Sequence, residues 1–259
     1  MTIFEVLVLG LIEGLTEFLP VSSTGHMILA SHLMGTSSND FLKSFEIAIQ
    51  LGAILSVVII YFKRFIMGLN IYKKLFMAFI PTGVVGFLAY KTIKLYLFDP
   101  YIVSAMLILG GIILIVLDKW SASRVSKFQR AEDLPLRGAF IVGLVQCLSM
   151  IPGVSRAAAT IFGGLIAGLD RKQATEFSFL LAVPTMCAAT GYDLLKTGGG
   201  FSNEQWMLLI MGGVVSFIFA MLAIKFFIYA VASYGFRHFG YYRIVVGIAF
   251  LIVSPPLAS

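Results

Sequence analysis

The stretch Glu13-Gly14-Leu15-Thr16-Glu17-Phe18-Leu19-Pro20-Val21-Ser22-Ser23-Thr24-Gly25-His26 sets two carboxylates, three consecutive hydroxyls and an imidazole within fourteen residues. A second cluster, Pro152-Gly153-Val154-Ser155-Arg156 with Thr160 one turn on, supplies a cation. Carboxylates, hydroxyls, a histidine and an arginine suit chemistry on a phosphate. Both clusters lie inside apolar sequence. Polar groups at bilayer depth are costly, so they are functional by default.

Glu13 and Glu17 are four residues apart and share a helical face just before Pro20. Such a pair can bind a divalent cation (Mg or Ca), hold an arginine or share a proton, and one of the two could simply cap a helix. Ser22, Ser23 and Thr24 follow at an expected helix start, where serine and threonine cap and where free N–H groups bind anions. Gly25 follows them. His26 is three residues after Ser23, which predicts a nucleophile and its base on one face. His32 has no polar cluster around it and reads as a core residue. In the second cluster Gly153 lets backbone approach an anion, Ser155 opens a helix, and Arg156 offers a planar fork. An Arg156–Glu17 ion pair is the plain structural alternative, compatible with a phosphate role. Thr160 either helps hold the phosphate or back-bonds to its own helix. Glu46, Gln50 and Glu176 read as structural intramembrane polar groups, the two glutamates accepting hydrogen bonds from the broken segments; Asp193 reads similarly.

The elements that carry these residues belong to a membrane protein. Of 259 residues, 59% are hydrophobic and only 12% charged, about half the charge of a soluble domain. The whole chain, 1–259, reads as one integral membrane domain. Six all-α spans are expected at 44–62, 75–94, 101–118, 176–195, 206–230 and 240–257, each near the ~20 residues that cross a bilayer. Regions 2–33 and 138–169 are instead broken in the middle by Pro20 or Pro152-Gly153. They read as re-entrant helix–loop–helix hairpins, since irregular backbone survives at membrane depth only in protein or against a wet cavity. The N-terminus lacks a basic region and Glu5 interrupts its apolar run, which argues against a cleaved signal peptide. Cys147 and Cys187 suggest neither a disulfide framework nor a metal site.

The chain repeats. Pro20 aligns with Pro152, Glu46 with Glu176 and Gly83 with Gly213, each with matching neighbours, at offsets of 132, 130 and 130. Units of about 1–118 and 138–257 each hold a hairpin and three spans. An odd number of spans makes the second unit inverted, with the site expected at the repeat interface. Loops 63–74, 119–137, 170–174 and 231–243 then share one side with thirteen cations: Lys63, Arg64, Lys73, Lys74, Lys119, Arg124, Lys127, Arg130, Arg137, Arg171, Lys172, Arg237 and Arg243. The other side has four, Lys43, Lys91, Lys94 and Lys196, so the first side is cytoplasmic and loop 197–205 external. The net charge of +6 is accounted for by these loops and calls for no nucleic acid.

The two motifs resemble the signatures of the undecaprenyl-pyrophosphate phosphatase family, known also for bacitracin resistance. The first, Glu/Gln-Gly-x-x-Glu-Phe-x-Pro-x-Ser-Ser-Thr-Gly-His, is complete from Glu13 to His26. The second, Pro-Gly-x-Ser-Arg-Ser-x-x-Thr, matches at Pro152, Gly153, Ser155, Arg156 and Thr160 and departs at Ala157, where the family has serine. The segments from Glu46 to Gly52 and Glu176 to Pro184 also look familial. The resemblance implies a bacterial inner-membrane enzyme that hydrolyses a C55 polyprenyl diphosphate to the monophosphate, with its active site open to the external, periplasmic face. It further implies catalytic roles for Glu17, Ser23, His26 and Arg156, with Glu13 assisting. A transporter or flippase of a polyprenyl phosphate is the competing reading of the residues. The Ser23–His26 pair favours chemistry, because transport needs no nucleophile. The sequence allows a homodimer and fixes no oligomeric state.

Overall fold

The structure is a computed structural model. It describes residues 1–36, 40–67, 69–96, 99–123, 126–197 and 200–253. Among these the chain is all-helical. Two short helices come first, α1 (Ile3–Thr16) and α2 (Ser23–Leu33), joined through the Pro20 turn. Then follow α3 (Asp40–Ala48), α4 (Gln50–Ile60), α5 (Phe62–Met67), α6 (Leu69–Tyr96) and α7 (Pro100–Ser121). The second half has α8 (Leu136–Gln146), α9 (Arg156–Ile166), α10 (Arg171–Thr197), α11 (Asn203–Tyr234) and α12 (Arg237–Val253). Single 3-10 turns lie at Ala131–Asp133 and Cys147–Met150.

Among the described residues five stretches are long and apolar enough to cross a membrane: Phe41–Ile60, Asn70–Ala89, Pro100–Ser121, Arg171–Lys196 and Asn203–Val231. The expected sixth corresponds to α12, whose described part has 17 residues. The expected span 44–62 is interrupted at Ile49, between α3 and α4. The expected loop 63–74 is mostly helical, in α5 and the start of α6. The expected loop 231–243 contracts to a short turn, because α11 runs to Tyr234 and α12 begins at Arg237. Arg243 is therefore no loop cation but a fully buried side chain inside α12. Arg124 and residues 254–257 lie outside the described residues, as do 198 and 199 of the expected external loop. The side chains of Lys91 and Lys94 lie outside the description as well.

Helices α1, α2, α8 and α9 have 14, 11, 11 and 11 residues. At 1.5 Å per residue these span about 16–21 Å, short of a ~30 Å hydrocarbon layer. The α1 start is fixed by a capping box: Glu5 N–H donates to Thr2 Oγ1 (3.3 Å) and Thr2 N–H to Glu5 Oε2 (2.7 Å). The first hairpin lies against α11 through α1, and the second against α6 through α8. Small residues make these contacts close. A Cβ on Gly10 would sit 2.9 Å from the Gly212 carbonyl oxygen, and one on Gly143 only 3.0 Å from Ala78 Cα. Without a water-driven hydrophobic effect between helices in lipid, such close backbone packing is what holds them. Helices α7 and α12 pair in the same way across Gly111 and Gly240.

Candidate active site

Each hairpin turns back at a serine of positive φ. Ser22 has φ 72° and Ser155 φ 74°, a region that L-residues other than glycine seldom enter. Both are N-caps of the helix that follows. Ser22 Oγ accepts from Gly25 N–H (3.3 Å) and Ser155 Oγ from Ala158 N–H (3.2 Å). The caps hold a strained backbone that leaves Ser23 and Arg156 as the first residues of α2 and α9.

The two tips touch. A Cβ on Gly25 would lie 3.5 Å from Gly153 Cα and 3.1 Å from Ser22 Oγ, so the tips are in contact there with little room for a larger residue. Gly153 itself has φ +92°, and a Cβ there would meet the Val103 carbonyl at 2.7 Å. Arg156 Nη2 donates to Glu17 Oε1 at 3.1 Å, an ion pair from one hairpin to the other. Its Nη1 donates to the Ser178 carbonyl (2.9 Å), and its guanidinium lies over the Phe18 ring, 5.7 Å from the centroid. Its buried Nε has no partner among the described residues. Glu17 also accepts from the Ser23 hydroxyl through Oε2.

These groups line a cavity of about 480 Å³. Glu17, Ser22, Ser23, Thr24, Gly153, Ser155 and Arg156 form its polar end. Phe79 and Phe87 of α6 and Met186 of α10 form apolar walls. Phe87, Ala188 and Ala189 line the cavity and are also exposed, so it reaches the helix surface between α6 and α10. Glu46 and Gln50 line it too, and Glu46 accepts from Ser31 Oγ of α2 at 3.0 Å. That is the hydrogen bond to a broken hairpin expected of it.

Several expected residues stand elsewhere. His26 does not face Ser23. Its Nδ1 lies 2.8 Å from the Ser22 carbonyl and its Nε2 3.0 Å from the Tyr242 hydroxyl of α12. A carbonyl only accepts, so Nδ1 carries the hydrogen and, in the neutral ring, Nε2 accepts from Tyr242. Residues three apart are about 60° apart around a helix, enough to send Ser23 toward Glu17 and His26 toward α12. Gly25 lies behind the cavity wall, at the contact between tips. Thr160 is buried and bonds to its own helix (Arg156 O, 2.9 Å) and to Ser178 Oγ (2.6 Å), so it steadies the turn of α10 whose carbonyl receives Arg156. Glu176 is apart from the hairpin tips, 3.8 Å from Arg64, which also pairs with Glu132.

Glu13 is completely buried one turn before Glu17, and neither of its oxygens has a hydrogen-bond partner among the described residues. No group of three or more metal-ligating side chains occurs among the described residues. Two carboxylates are nevertheless a usual protein share for Mg²⁺, whose other ligands are water and substrate phosphate.

Sequence reasoning missed Arg243 and Tyr242. It also counted Lys43 as a loop cation, whereas Lys43 lies in α3 on the cavity wall. The signal was present for Arg243: a lone cation followed by Ile244-Val245-Val246-Gly247 in an apolar helix.

A family model described as bacitracin resistance protein BacA matches residues 6–249. Over 251 residues the chain is 50% identical to the undecaprenyl-diphosphatase of Aquifex aeolicus, covering 96% of this chain and 98% of that one. It is 52% identical over 252 residues to the enzyme of that name from Persephonella marina, with 97% and 99% covered. A third, from Bdellovibrio bacteriovorus, is 49% identical over 253 residues, 98% of this chain and 96% of that one.

Proposed function

The chain belongs to the bacitracin resistance protein family, and from that premise we infer that it hydrolyses undecaprenyl diphosphate to undecaprenyl phosphate and inorganic phosphate. The observation that carries this reading is the single contact set Ser23–Glu17–Arg156 at the polar end of a cavity with apolar walls. An amphiphile fits there with its diphosphate against the hairpin tips. Its C55 tail stays in lipid, reached between α6 and α10, because each buried CH₂ is worth about 0.8 kcal/mol. The product is the lipid carrier for cell-wall synthesis. Removing the diphosphate, the form that bacitracin sequesters, gives resistance.

The contacts support the following chemistry. Ser23 Oγ attacks the terminal phosphorus while Glu17 takes its proton. The Ser23 Oγ–P bond forms, the bridging P–O bond breaks, and undecaprenyl phosphate leaves. Glu17 passes that proton to the departing phosphate oxygen and is ionised again; it then takes a proton from the attacking water and returns it to Ser23 Oγ as the Oγ–P bond breaks and inorganic phosphate is released. Arg156, which lines the cavity, stabilises charge on the transferred group. His26 holds the Ser22 carbonyl and thus the start of α2. Glu13 and Glu17 are the residues that would hold a divalent cation, Mg or Ca; bound there, it supplies charge neutralisation for the diphosphate.

The same reading includes an inverted repeat in the bacterial inner membrane. Its support is that packing partners interchange: α1 lies on α11 as α8 lies on α6, and both tips use a capping serine of positive φ. The cation excess on loops 63–74, 119–137 and 170–174 supports a site open to the external face. Purified protein given undecaprenyl diphosphate should release one phosphate per lipid and leave the monophosphate; no release would defeat the reading.

A further inference from the structure

Arg243 is fully buried in α12, and five hydrogen bonds join its guanidinium to backbone carbonyls. Nη1 donates to Pro20 (3.0 Å) and to Val154 (3.1 Å). Nη2 donates to Gly153 (2.6 Å) and to Met106 (3.1 Å), and Nε donates to Leu107 (3.2 Å). One planar group therefore holds the first tip, the second tip and α7 together. The place is made for it: a Cβ on Gly110 of α7 would lie 2.7 Å from Arg243 Cζ.

The two tip carbonyls occupy corresponding places. Pro20 is three residues ahead of Ser23, and Gly153 is three residues ahead of Arg156. Both belong to irregular backbone whose carbonyls lack helical donors, and such groups need an internal partner at membrane depth. We propose that Arg243 is a positioning residue for the phosphatase reaction: it sets the register of one hairpin tip against the other, and so holds Ser23 relative to Arg156. It does this from behind the tips, off the cavity wall. A lysine keeps the charge but has one nitrogen, which cannot reach carbonyls spread over three elements.

The kinetic arm of the test rests on the hydrolytic reading; the exchange arm does not. In full-length Arg243→Lys, turnover should fall about 30-fold or more, since misplacement by an ångström costs that much. KM should stay within about threefold. Amide hydrogen exchange should rise over residues 18–25 and 151–158 while α1 and α11 stay protected. In an Arg156→Lys background, adding Arg243→Lys should cost much less than it does alone, because both act on one geometry.

Wild-type exchange at both tips, or a rise spread evenly over the helices, overturns the proposal. So does wild-type turnover in the variant. A wild-type protein that releases no phosphate would instead remove the hydrolytic reading and leave the exchange result to judge the tips. If Arg243→Lys, Arg243→Gln and Arg243→Met all fail to give monodisperse protein, Arg243 supports the whole fold rather than the tips, and the proposal fails.

Discussion

Ser23 donates its hydroxyl hydrogen to Glu17, and that carboxylate's other oxygen accepts from Arg156 of the opposite hairpin. The groups we propose as nucleophile, base and phosphate-binding cation are thus one connected unit built from two parts of the chain.

Members of such a unit fail alone almost as completely as together. Ser23→Ala and Glu17→Gln should each lower turnover by several powers of ten, on the order of 10³ or more, and the double variant should be little worse than either. Phosphate release by purified variants checks this. Retention of more than about a tenth of wild-type turnover by Ser23→Ala would point to direct attack by water.

Arg156→Lys retains a charge but loses both the fork and the stack on Phe18. Turnover should drop about 100-fold. A variant with near-normal kcat would reduce Arg156 to a general counter-charge for Glu17.

For His26 the expected loss is smaller, because the ring positions Ser22 and does not touch the Ser23 hydroxyl. His26→Ala should lose about 10- to 100-fold, and Tyr242→Phe less than His26→Ala. If His26→Ala were as dead as Ser23→Ala, the imidazole would have to swing to the nucleophile in the substrate complex.

Thorough chelation should abolish turnover, and Mg²⁺ or Ca²⁺ should restore it. Glu13→Gln should then raise the metal concentration needed for half-maximal rate, since it removes half of the carboxylate set. Full activity in excess chelator would eliminate the cation and leave the paired glutamates to orient Arg156.

Orientation can be read with single cysteines in a protein freed of Cys147 and Cys187. A membrane-impermeant thiol reagent added to intact cells should label Ser202→Cys and spare Lys63→Cys, two exposed positions on opposite expected sides. The reverse pattern would put hydrolysis on the cytoplasmic face.

Hydropathy and the Pro20 and Pro152-Gly153 breaks were enough to place most helices and both tips, because length and backbone chemistry decide those. The Arg156–Glu17 pair was within reach as well, since a buried cation must find an anion. Spacing failed at His26: it names a helical face, and the rotamer is decided by Tyr242 more than two hundred residues on. It failed at Arg243 because a cation near the end of an apolar stretch looks interfacial until the carbonyls of three distant segments are seen around it. Thr160 was left open between two roles in the sequence, and its bonds to Arg156 O and Ser178 select the local one.

Pro20 and Arg243 are 223 residues apart in the chain. During synthesis the Pro20 carbonyl therefore gains its Arg243 donor only once α12 has been made. The second hairpin waits likewise for the same side chain. Helices can insert one by one, yet on the positioning role proposed for Arg243 the two tips are set against each other only when α12 is in place. On the same proposal, a chain cut short before Arg243 carries every motif residue but lacks the side chain that joins the two tips.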